Sequence, residues 1–226
     1  MKFAAVLFDC DGVIVDSEGV TRDMLRDEFA ANGLNVPAER MGALFTGGTM
    51  FSVFDTARNM GADLPEGWVD DFYERLYARL GEGTALIPGI EGVLDALDVA
   101  GIPYAVGSNG TERKMRVTLG QHPALLARLR GRIFSGQALG CPKPDPGLYL
   151  HAAAALGAPP ERTAVIEDSA PGCRAASRAG MVCFGYAPMG NGAALAAEGA
   201  HVFDSMDTLP GLLAPARPPG ETDRRT

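Results

Sequence analysis

The sequence predicts an α/β fold, a Rossmann-like parallel sheet flanked by helices, with a small all-helical cap domain inserted after the first strand. Along most of the 226 residues, short apolar runs alternate with helical patterns. This alternation is typical of a parallel sheet with helices on both faces. The stretch from Asp16 to Thr84 breaks the alternation and has almost no strand signal. We therefore expect a helical insertion there.

Five apolar runs predict the strands. Residues 3–8 are brief, continuously apolar and end abruptly at Asp9, as expected of a buried parallel strand. Four later runs have the same character and lie at residues 102–106, 132–134, 163–166 and 181–184. Helical patterns lie next to them at residues 90–100, 114–119, 147–156 and 172–179.

The insertion has two helical stripes of apolar residues. These stripes are Val20, Met24, Leu25 and Phe29, followed by Trp68, Phe72, Leu76 and Leu80. We therefore predict a Rossmann-like core over residues 1–15 and 88–212 and a cap over residues 16–87. From residue 213 to residue 226 the chain is rich in Pro and Arg, and we expect a loose tail there.

Composition narrows the functional classes. There are 28 acidic and 20 basic residues, so the net charge is −8, which disfavours nucleic-acid binding. No apolar stretch approaches the ~20 residues of a membrane span. The start lacks a leader pattern and the four cysteines are scattered, so we expect a cytoplasmic protein. Because nothing indicates a large apolar interface, we expect a monomer.

The strongest chemical motif is Asp9-Cys10-Asp11-Gly12, directly after the first strand. In extended backbone, positions i and i+2 point to the same side, so Asp9 and Asp11 should project together. Ligand sites of open α/β sheets lie at the carboxyl ends of the strands. The alternative is a strand-to-turn junction in which the acidic residues only cap the turn.

Two further motifs suit a phosphate group. Ser108-Asn109-Gly110 follows an apolar run and offers a hydroxyl and small-residue backbone N–H groups. Lys143 stands between two prolines on a stiff backbone, where an ammonium could neutralise a phosphoryl group. The alternatives are an ordinary turn and a rigid loop that precedes a helix.

The last motif, Glu167-Asp168, also follows an apolar run. Paired carboxylates can hold Mg²⁺, which prefers hard oxygen ligands, although capping of the next helix is the alternative. Several carboxylates in one pocket repel one another unless a cation joins them. The four motifs together suit phosphoryl transfer to a carboxylate, followed by attack of water.

With these motifs in this order, the chain resembles the haloacid dehalogenase superfamily over about residues 3–210. The resemblance implies a helical lid, Mg²⁺ as cofactor and a small phosphorylated metabolite as substrate. It implies that Asp9 is the nucleophile and Asp11 the general acid/base. It also implies phosphate binding by Ser108, Asn109, Gly110 and Lys143, and metal binding by Asp9, the Asp11 carbonyl, Asp168 and, directly or through water, Glu167.

Within the family, Asp11 favours phosphate esters over halides and phosphonates. The residues from Ser108 to Gly120 resemble sugar-phosphate phosphatases such as 6-phosphogluconate phosphatase. β-Phosphoglucomutase is similar too, but Thr21 and Met50 stand where its cap has a histidine and an arginine. The alternatives to a phosphatase are therefore a phosphomutase and a non-catalytic binding module. The cap residues that we expect to face the substrate are Glu18, Thr21, Arg22, Thr46, Thr49 and Arg58.

Overall fold

The protein's structure is a computed structural model that describes residues 2–38, 40–41, 49–190 and 192–214. Among these residues, one sheet contains six strands: β1 (Ala5–Phe8), β2 (Tyr104–Ser108), β3 (Ile133–Ser135), β4 (Thr163–Glu167), β5 (Val182–Tyr186) and β6 (His201–Phe203). All six are parallel, and their order across the sheet is β3-β2-β1-β4-β5-β6. The predicted fold class is confirmed.

The five predicted strands are present, and their observed ends differ from the predicted ends by at most two residues. The sixth strand, β6, was not predicted. It has only three residues, and two of them, His201 and Val202, are exposed. A strand this short at the sheet edge carries too few apolar residues for a pattern to be recognised.

The helices of the core lie on both faces of the sheet. Val6 and Phe8 of β1 belong to one apolar cluster, together with Ile90. Leu7 belongs to the opposite cluster, together with Tyr149. This division follows from the alternation of side chains along a strand. The core helices are α4 (Ile90–Val99), α5 (Glu112–Leu119), α6 (Pro123–Arg128), α7 (Gly136–Leu139), α8 (Gly147–Ala155), α9 (Ala170–Arg178), α10 (Gly192–Ala197) and α11 (Leu209–Leu213), with 3₁₀ turns at Pro160–Arg162 and Met206–Thr208.

Between β1 and α4, helices α1 (Glu18–Ala31), α2 (Met50–Asn59) and α3 (Trp68–Gly81) bury their apolar side chains in a cluster of their own. Trp68 stacks on Phe72 with ring centroids 4.8 Å apart, and its indole N–H donates to Glu28 Oε2 at 3.0 Å. The helical insertion after the first strand therefore has an independent apolar centre. The predicted boundaries of 16–87 stay a prediction.

Helix α3 of the insertion is also attached to the core. Tyr77 Oη and Thr111 Oγ1 are 2.5 Å apart, and Gln121 Nε2 donates to the Leu80 carbonyl at 3.0 Å. At the other end of the chain, Leu213 is the buried last residue of α11, whereas residues 215–226 of the predicted tail lie outside the described residues. In the described part of the chain, every helix is too short or too polar to cross a membrane.

Candidate active site

The sheet brings the four sequence motifs to one edge. Strand β1 lies between β2 and β4, and its last residue, Phe8, is in register with Val106 and Ile166. Asp9 therefore follows β1 at the centre of the sheet, with Ser108 ending β2 on one side and Glu167 ending β4 on the other. This is the point at which the strand order reverses, where open α/β sheets bind ligands.

A buried lysine joins two of the carboxylates. The Lys143 ammonium donates to Asp9 Oδ1 and, at 2.6 Å, to Glu167 Oε1, and only 2% of the Lys143 side chain is exposed. Burial alone would lower the pKa of Lys143, but Asp9 and Glu167 hold this pKa above its usual value. Burial raises the pKa of Asp9 to about 7, although Lys143 acts in the opposite direction. Lys143 is therefore a fixed positive charge beside Asp9.

Glu167 is fully buried and its carboxylate accepts five hydrogen bonds. Lys143 and Tyr149 donate to Oε1, while the Asp168 N–H, the Ser169 N–H and the Ser169 hydroxyl donate to Oε2. The side chain lies so close to Gly172 that a Cβ there would be 1.8 Å from Oε1. Direct metal coordination by Glu167 does not agree with this arrangement, because protein donors already occupy both of its oxygens. One of those donors is the Lys143 ammonium, so Glu167 is a buried anionic partner of Lys143.

Asp11 is held by a second set of donors. Lys114 Nζ lies 2.8 Å from Oδ1, which also accepts from the Ser17 hydroxyl, and the Ser108 hydroxyl lies 3.4 Å from Oδ2. Burial would raise the pKa of Asp11, but Lys114 and Ser17 outweigh it and the pKa is lowered. The structure thus gives each carboxylate of the Asp9-x-Asp11 motif its own lysine.

The Ser108-Asn109-Gly110 loop is connected to the lysine motif. The Asn109 side chain accepts from the Lys143 N–H at 2.7 Å and donates to the Lys143 carbonyl at 3.1 Å. The Gly110 N–H donates to the Ser108 hydroxyl at 2.9 Å. Gln137 of α7 donates to the Asn109 carbonyl at 2.6 Å and to the hydroxyl of Tyr73, which belongs to the insertion, at 3.2 Å. The loop is therefore fixed before any ligand arrives.

On the other side of Asp9, the carboxyl groups of Asp168 and Glu18 approach Gly12. A Cβ at Gly12 would lie 2.0 Å from Asp168 Oδ2 and 3.5 Å from Glu18 Cδ, and the glycine has a φ of +78°. Burial, and then Glu18, raises the pKa of Asp168 well above its usual value, and burial raises the pKa of Glu18 to about 7. Buried carboxyl groups this close together repel each other when both are ionised, so a cation beside Asp168 would relieve the repulsion.

The residues fit Mg²⁺. Asp9 and Asp168 offer carboxylate oxygens, and among the described residues no backbone N–H donates to the Asp11 carbonyl, which leaves that oxygen available. Three hard oxygen donors with room for water are a set that Mg²⁺ accepts. Asp9, Asp168 and the Asp11 carbonyl are therefore the residues that could hold the metal.

A cavity of about 120 Å³ lies between this edge and the insertion. We call its core side the catalytic edge, which consists of Asp9, Asp11, Ser108, Asn109, Gly110, Lys114, Lys143 and Asp168. We call its opposite side the cap wall, which consists of Glu18, Thr21, Arg22, Leu25, Met41, Met50, Val53, Tyr73 and Leu76.

Only some of the six cap residues that we expected to face the substrate line the cavity. Glu18, Thr21 and Arg22 line the cavity, although the Thr21 hydroxyl donates to the Ser17 carbonyl at 2.9 Å. Thr49 caps α2 by accepting from the Ser52 N–H at 3.2 Å. The exposed Arg58 lies over the Phe54 ring, 5.3 Å from its centroid. Neither Thr49 nor Arg58 lines the cavity. Thr46 lies outside the described residues.

Sequence reasoning missed Lys114, Ser17 and Tyr149 as members of the site. Lys114 could have been found, because it is one of only three lysines in the chain and follows the Ser108 loop at the start of a helix. Tyr149 carries no such signal, since its contact with Glu167 depends on how α8 packs on the sheet. Of the apolar residues of the cap wall, Leu25 and Leu76 were predicted only as cap core, and Met41 and Val53 were not singled out.

With this geometry established, comparison with known proteins identifies a family. The sequence model of the family of haloacid dehalogenase-like hydrolases matches residues 3–180 of the chain. The chain is 30% identical over 184 residues to the 6-phosphogluconate phosphatase of Escherichia coli strain K12, an alignment that covers 81% of this chain and 82% of that protein.

Solved structures of similar proteins support the same family. A haloacid dehalogenase family hydrolase from Deinococcus radiodurans, solved with bound phosphate and sodium, is 34% identical with a TM-score of 0.74, over 95% of this chain and 99% of that one. The CbbY protein of Rhodobacter sphaeroides, solved as a mutant in complex with xylulose-(1,5)bisphosphate, is 29% identical with a TM-score of 0.68, over 81% of this chain and 86% of that one.

Proposed function

The chain belongs to the haloacid dehalogenase-like hydrolases, and from this membership we propose that it is a Mg²⁺-dependent phosphatase of a small sugar or sugar-acid phosphate. It is a hydrolase that acts on phosphate monoesters. Our proposal adds the cofactor, an aspartyl-phosphate intermediate, the residue roles and the class of ester. We also propose that the enzyme is a monomer and that it acts in the cytoplasm.

The observation that carries this proposal is the pairing of each carboxylate of the Asp9-x-Asp11 motif with a different lysine. Lys143 is bonded to Asp9, and Lys114 is bonded to Asp11. Two neighbouring carboxylates in the same environment would do the same chemistry. In different environments they can divide the reaction between a nucleophile and an acid/base.

In the proposed mechanism, an Asp9 oxygen attacks phosphorus while the bond between phosphorus and the ester oxygen breaks. The dianionic phosphate, once bound beside Asp11, favours the protonated form of this carboxyl group. Asp11 then gives its proton to the leaving oxygen, so the alcohol departs neutral. Asp11 then takes a proton from water as the water oxygen attacks the aspartyl phosphate. The bond between phosphorus and Asp9 breaks, and inorganic phosphate is released.

The neighbouring residues bind and orient the phosphoryl group in both steps. Ser108, Asn109 and Gly110 line the same cavity as Asp9. The Ser108 hydroxyl and the Asn109 N–H can donate to phosphoryl oxygens, while the Gly110 N–H holds the Ser108 hydroxyl in place. The Lys143 ammonium balances charge on the transferring group. Mg²⁺, held by Asp9, Asp168 and the Asp11 carbonyl, would supply further neutralisation of the phosphate charge.

The substrate class rests on relatives and on the cap wall. A relative is named for 6-phosphogluconate, and a solved relative holds xylulose-(1,5)bisphosphate. In this chain, Glu18 and Arg22 supply one carboxyl and one guanidinium at the cavity, which suit the hydroxyl and carboxylate groups of a sugar or sugar acid. The cap wall should therefore select the ester, while the catalytic edge accepts any phosphate.

The test is phosphate release from a panel of sugar phosphates, sugar-acid phosphates, nucleotides and phosphoglycolate, in Mg²⁺ and in EDTA. We expect release that requires Mg²⁺ and is fastest with a sugar or sugar-acid phosphate. A folded protein that releases phosphate from no ester in Mg²⁺ contradicts the proposal. An isomerised sugar phosphate in place of free phosphate identifies a phosphomutase instead.

A further inference from the structure

Lys114 belongs to the catalytic edge and is paired with Asp11, but neither step of the proposed mechanism assigns it a direct role. It lies in the first turn of α5, and only 12% of its side chain is exposed. Its ammonium lies on the cavity wall, 2.8 Å from Asp11 Oδ1. A lysine this far from solvent loses hydration and side-chain entropy, so it needs a specific partner.

The backbone and the stem of Lys114 are both held. Thr111 caps α5 by accepting from the Lys114 N–H at 3.1 Å, and the Thr111 hydroxyl lies 2.5 Å from Tyr77 Oη of the cap. A Cβ at Gly110 would lie 3.5 Å from Lys114 Cδ, so the aliphatic stem passes over this glycine in ordinary contact. The capped start of α5 and the contact of the stem with Gly110 therefore position the ammonium beside Asp11.

The contacts on Asp11 are divided between its two oxygens. Lys114 and the Ser17 hydroxyl both bind Oδ1. Oδ2 is near the Ser108 hydroxyl, at 3.4 Å, and would be 3.5 Å from a Cβ at Gly110. Oδ2 therefore faces the loop that we propose binds phosphate, and Oδ1 is the anchored oxygen.

We propose that Lys114 is a positioning residue for Asp11: it anchors Oδ1 so that Oδ2 is the oxygen that exchanges a proton with the leaving group and with water. This inference rests on the proposed phosphatase function. Lys114 acts through Asp11, whereas Lys143 acts on Asp9 and on the phosphoryl group. Loss of Lys114 should therefore impair proton transfer more than phosphate binding.

The test compares two esters that differ in their need for that proton. The alkoxide expelled from a sugar phosphate is a poor leaving group that Asp11 must protonate, whereas p-nitrophenolate leaves p-nitrophenyl phosphate without protonation. For Lys114→Met we expect kcat/KM to fall roughly 10²-fold with the sugar phosphate and no more than about threefold with p-nitrophenyl phosphate. The KM for the sugar phosphate should change little, because the phosphate contacts remain.

Two further variants complete the test. Lys114→Arg keeps the charge and should recover part of the activity on the sugar phosphate. Arg116→Met, on the same helix but with 70% of the side chain exposed, should leave both rates unchanged. Thermal unfolding of each variant shows whether it is folded. If Lys114→Met does not fold, the ratio of the two rates in Lys114→Arg decides.

An equal loss on both esters, or no loss on either, overturns the role of Lys114 while the wild-type enzyme remains a phosphatase. A wild-type protein that hydrolyses neither ester in Mg²⁺ overturns the proposed function itself, and this inference with it. The two failures are therefore distinguished by the wild-type rates alone.

Discussion

The two sides of the cavity are built in opposite ways. On the catalytic edge, buried polar side chains make several hydrogen bonds each, as Lys143 does with Asp9 and Glu167. On the cap wall, the Arg22 side chain makes no hydrogen bond or salt bridge to another residue that the structure describes, and most of the remaining wall is apolar. A preorganised edge suits a fixed chemistry, and a wall with an unengaged guanidinium suits the choice of a substrate.

The largest effect that this comparison predicts is on the acid/base. Asp11→Asn should lower turnover of a sugar phosphate by roughly 10²- to 10⁴-fold, since the amide cannot exchange the proton. Binding of Mg²⁺ and of inorganic phosphate should persist, because the metal contact is the main-chain carbonyl. Steady-state kinetics and calorimetry measure the two quantities. Loss of Mg²⁺ binding in this variant would show that the side chain holds the metal.

The second prediction concerns the stability of the catalytic edge. Lys143→Met leaves Asp9 and Glu167 as buried carboxylates without their cation, which should lower the free energy of unfolding by roughly 3–5 kcal/mol. Urea unfolding at neutral pH in EDTA measures it. The matched control is Arg79→Met, which removes an exposed salt bridge to Glu82 and should cost no more than about 1 kcal/mol. Equal costs for the two variants would contradict the account of Lys143.

The third prediction is that Asp168→Asn stabilises the protein without Mg²⁺ and destabilises it, relative to the wild type, with Mg²⁺. Burial raises the pKa of Asp168 above the range of an unfolded carboxyl, so its ionisation opposes folding increasingly as the pH rises above that range. In EDTA at pH 8, Asp168→Asn should therefore stabilise the protein by on the order of 1 kcal/mol.

With Mg²⁺ at about 100 times its Kd, the wild-type protein should gain about 2.7 kcal/mol and the variant much less. Thermal unfolding with and without Mg²⁺ measures both effects. A variant that responds to Mg²⁺ as the wild type does would exclude Asp168 as a ligand.

The smallest predicted effect lies on the cap wall. Arg22→Ala should raise the KM for an acidic sugar phosphate roughly tenfold, the loss of one charged contact of about 1.4 kcal/mol. It should raise the KM for a neutral sugar phosphate less. Arg26→Ala is the matched control, one helical turn further on α1 and paired with Asp23. An unchanged KM for both esters would remove Arg22 from the substrate site.

The same contrast explains what the sequence could predict. The catalytic edge follows from local signals, because Asp9, Ser108 and Glu167 all stand at strand ends and parallel strands bring those ends together. The fold class could also be predicted, because it too follows from local patterns: short apolar runs alternate with helices along the sequence. The partners of Lys143 follow from packing across the sheet, and no spacing in the sequence predicts that Glu167 holds it.

The cap wall is the part that sequence reasoning predicted least well. Thr49 and Arg58 carry polar groups suited to a substrate, but Thr49 caps a helix and Arg58 lies over Phe54. Helical periodicity predicts which face of a cap helix is apolar but not how that face is oriented above the sheet. Apolar residues such as Leu25 and Val53 therefore line the cavity without a sequence signal for it.

The central claim is that Asp9 attacks the phosphate, and Asp9→Asn tests it most directly. Phosphate release from the best ester of the panel is measured for the wild type and the variant, in Mg²⁺ and in EDTA, with unfolding curves to confirm the fold. The account predicts Mg²⁺-dependent turnover in the wild type and a loss of at least ~10⁴-fold in the variant. A folded Asp9→Asn protein that turns over as the wild type does would contradict it.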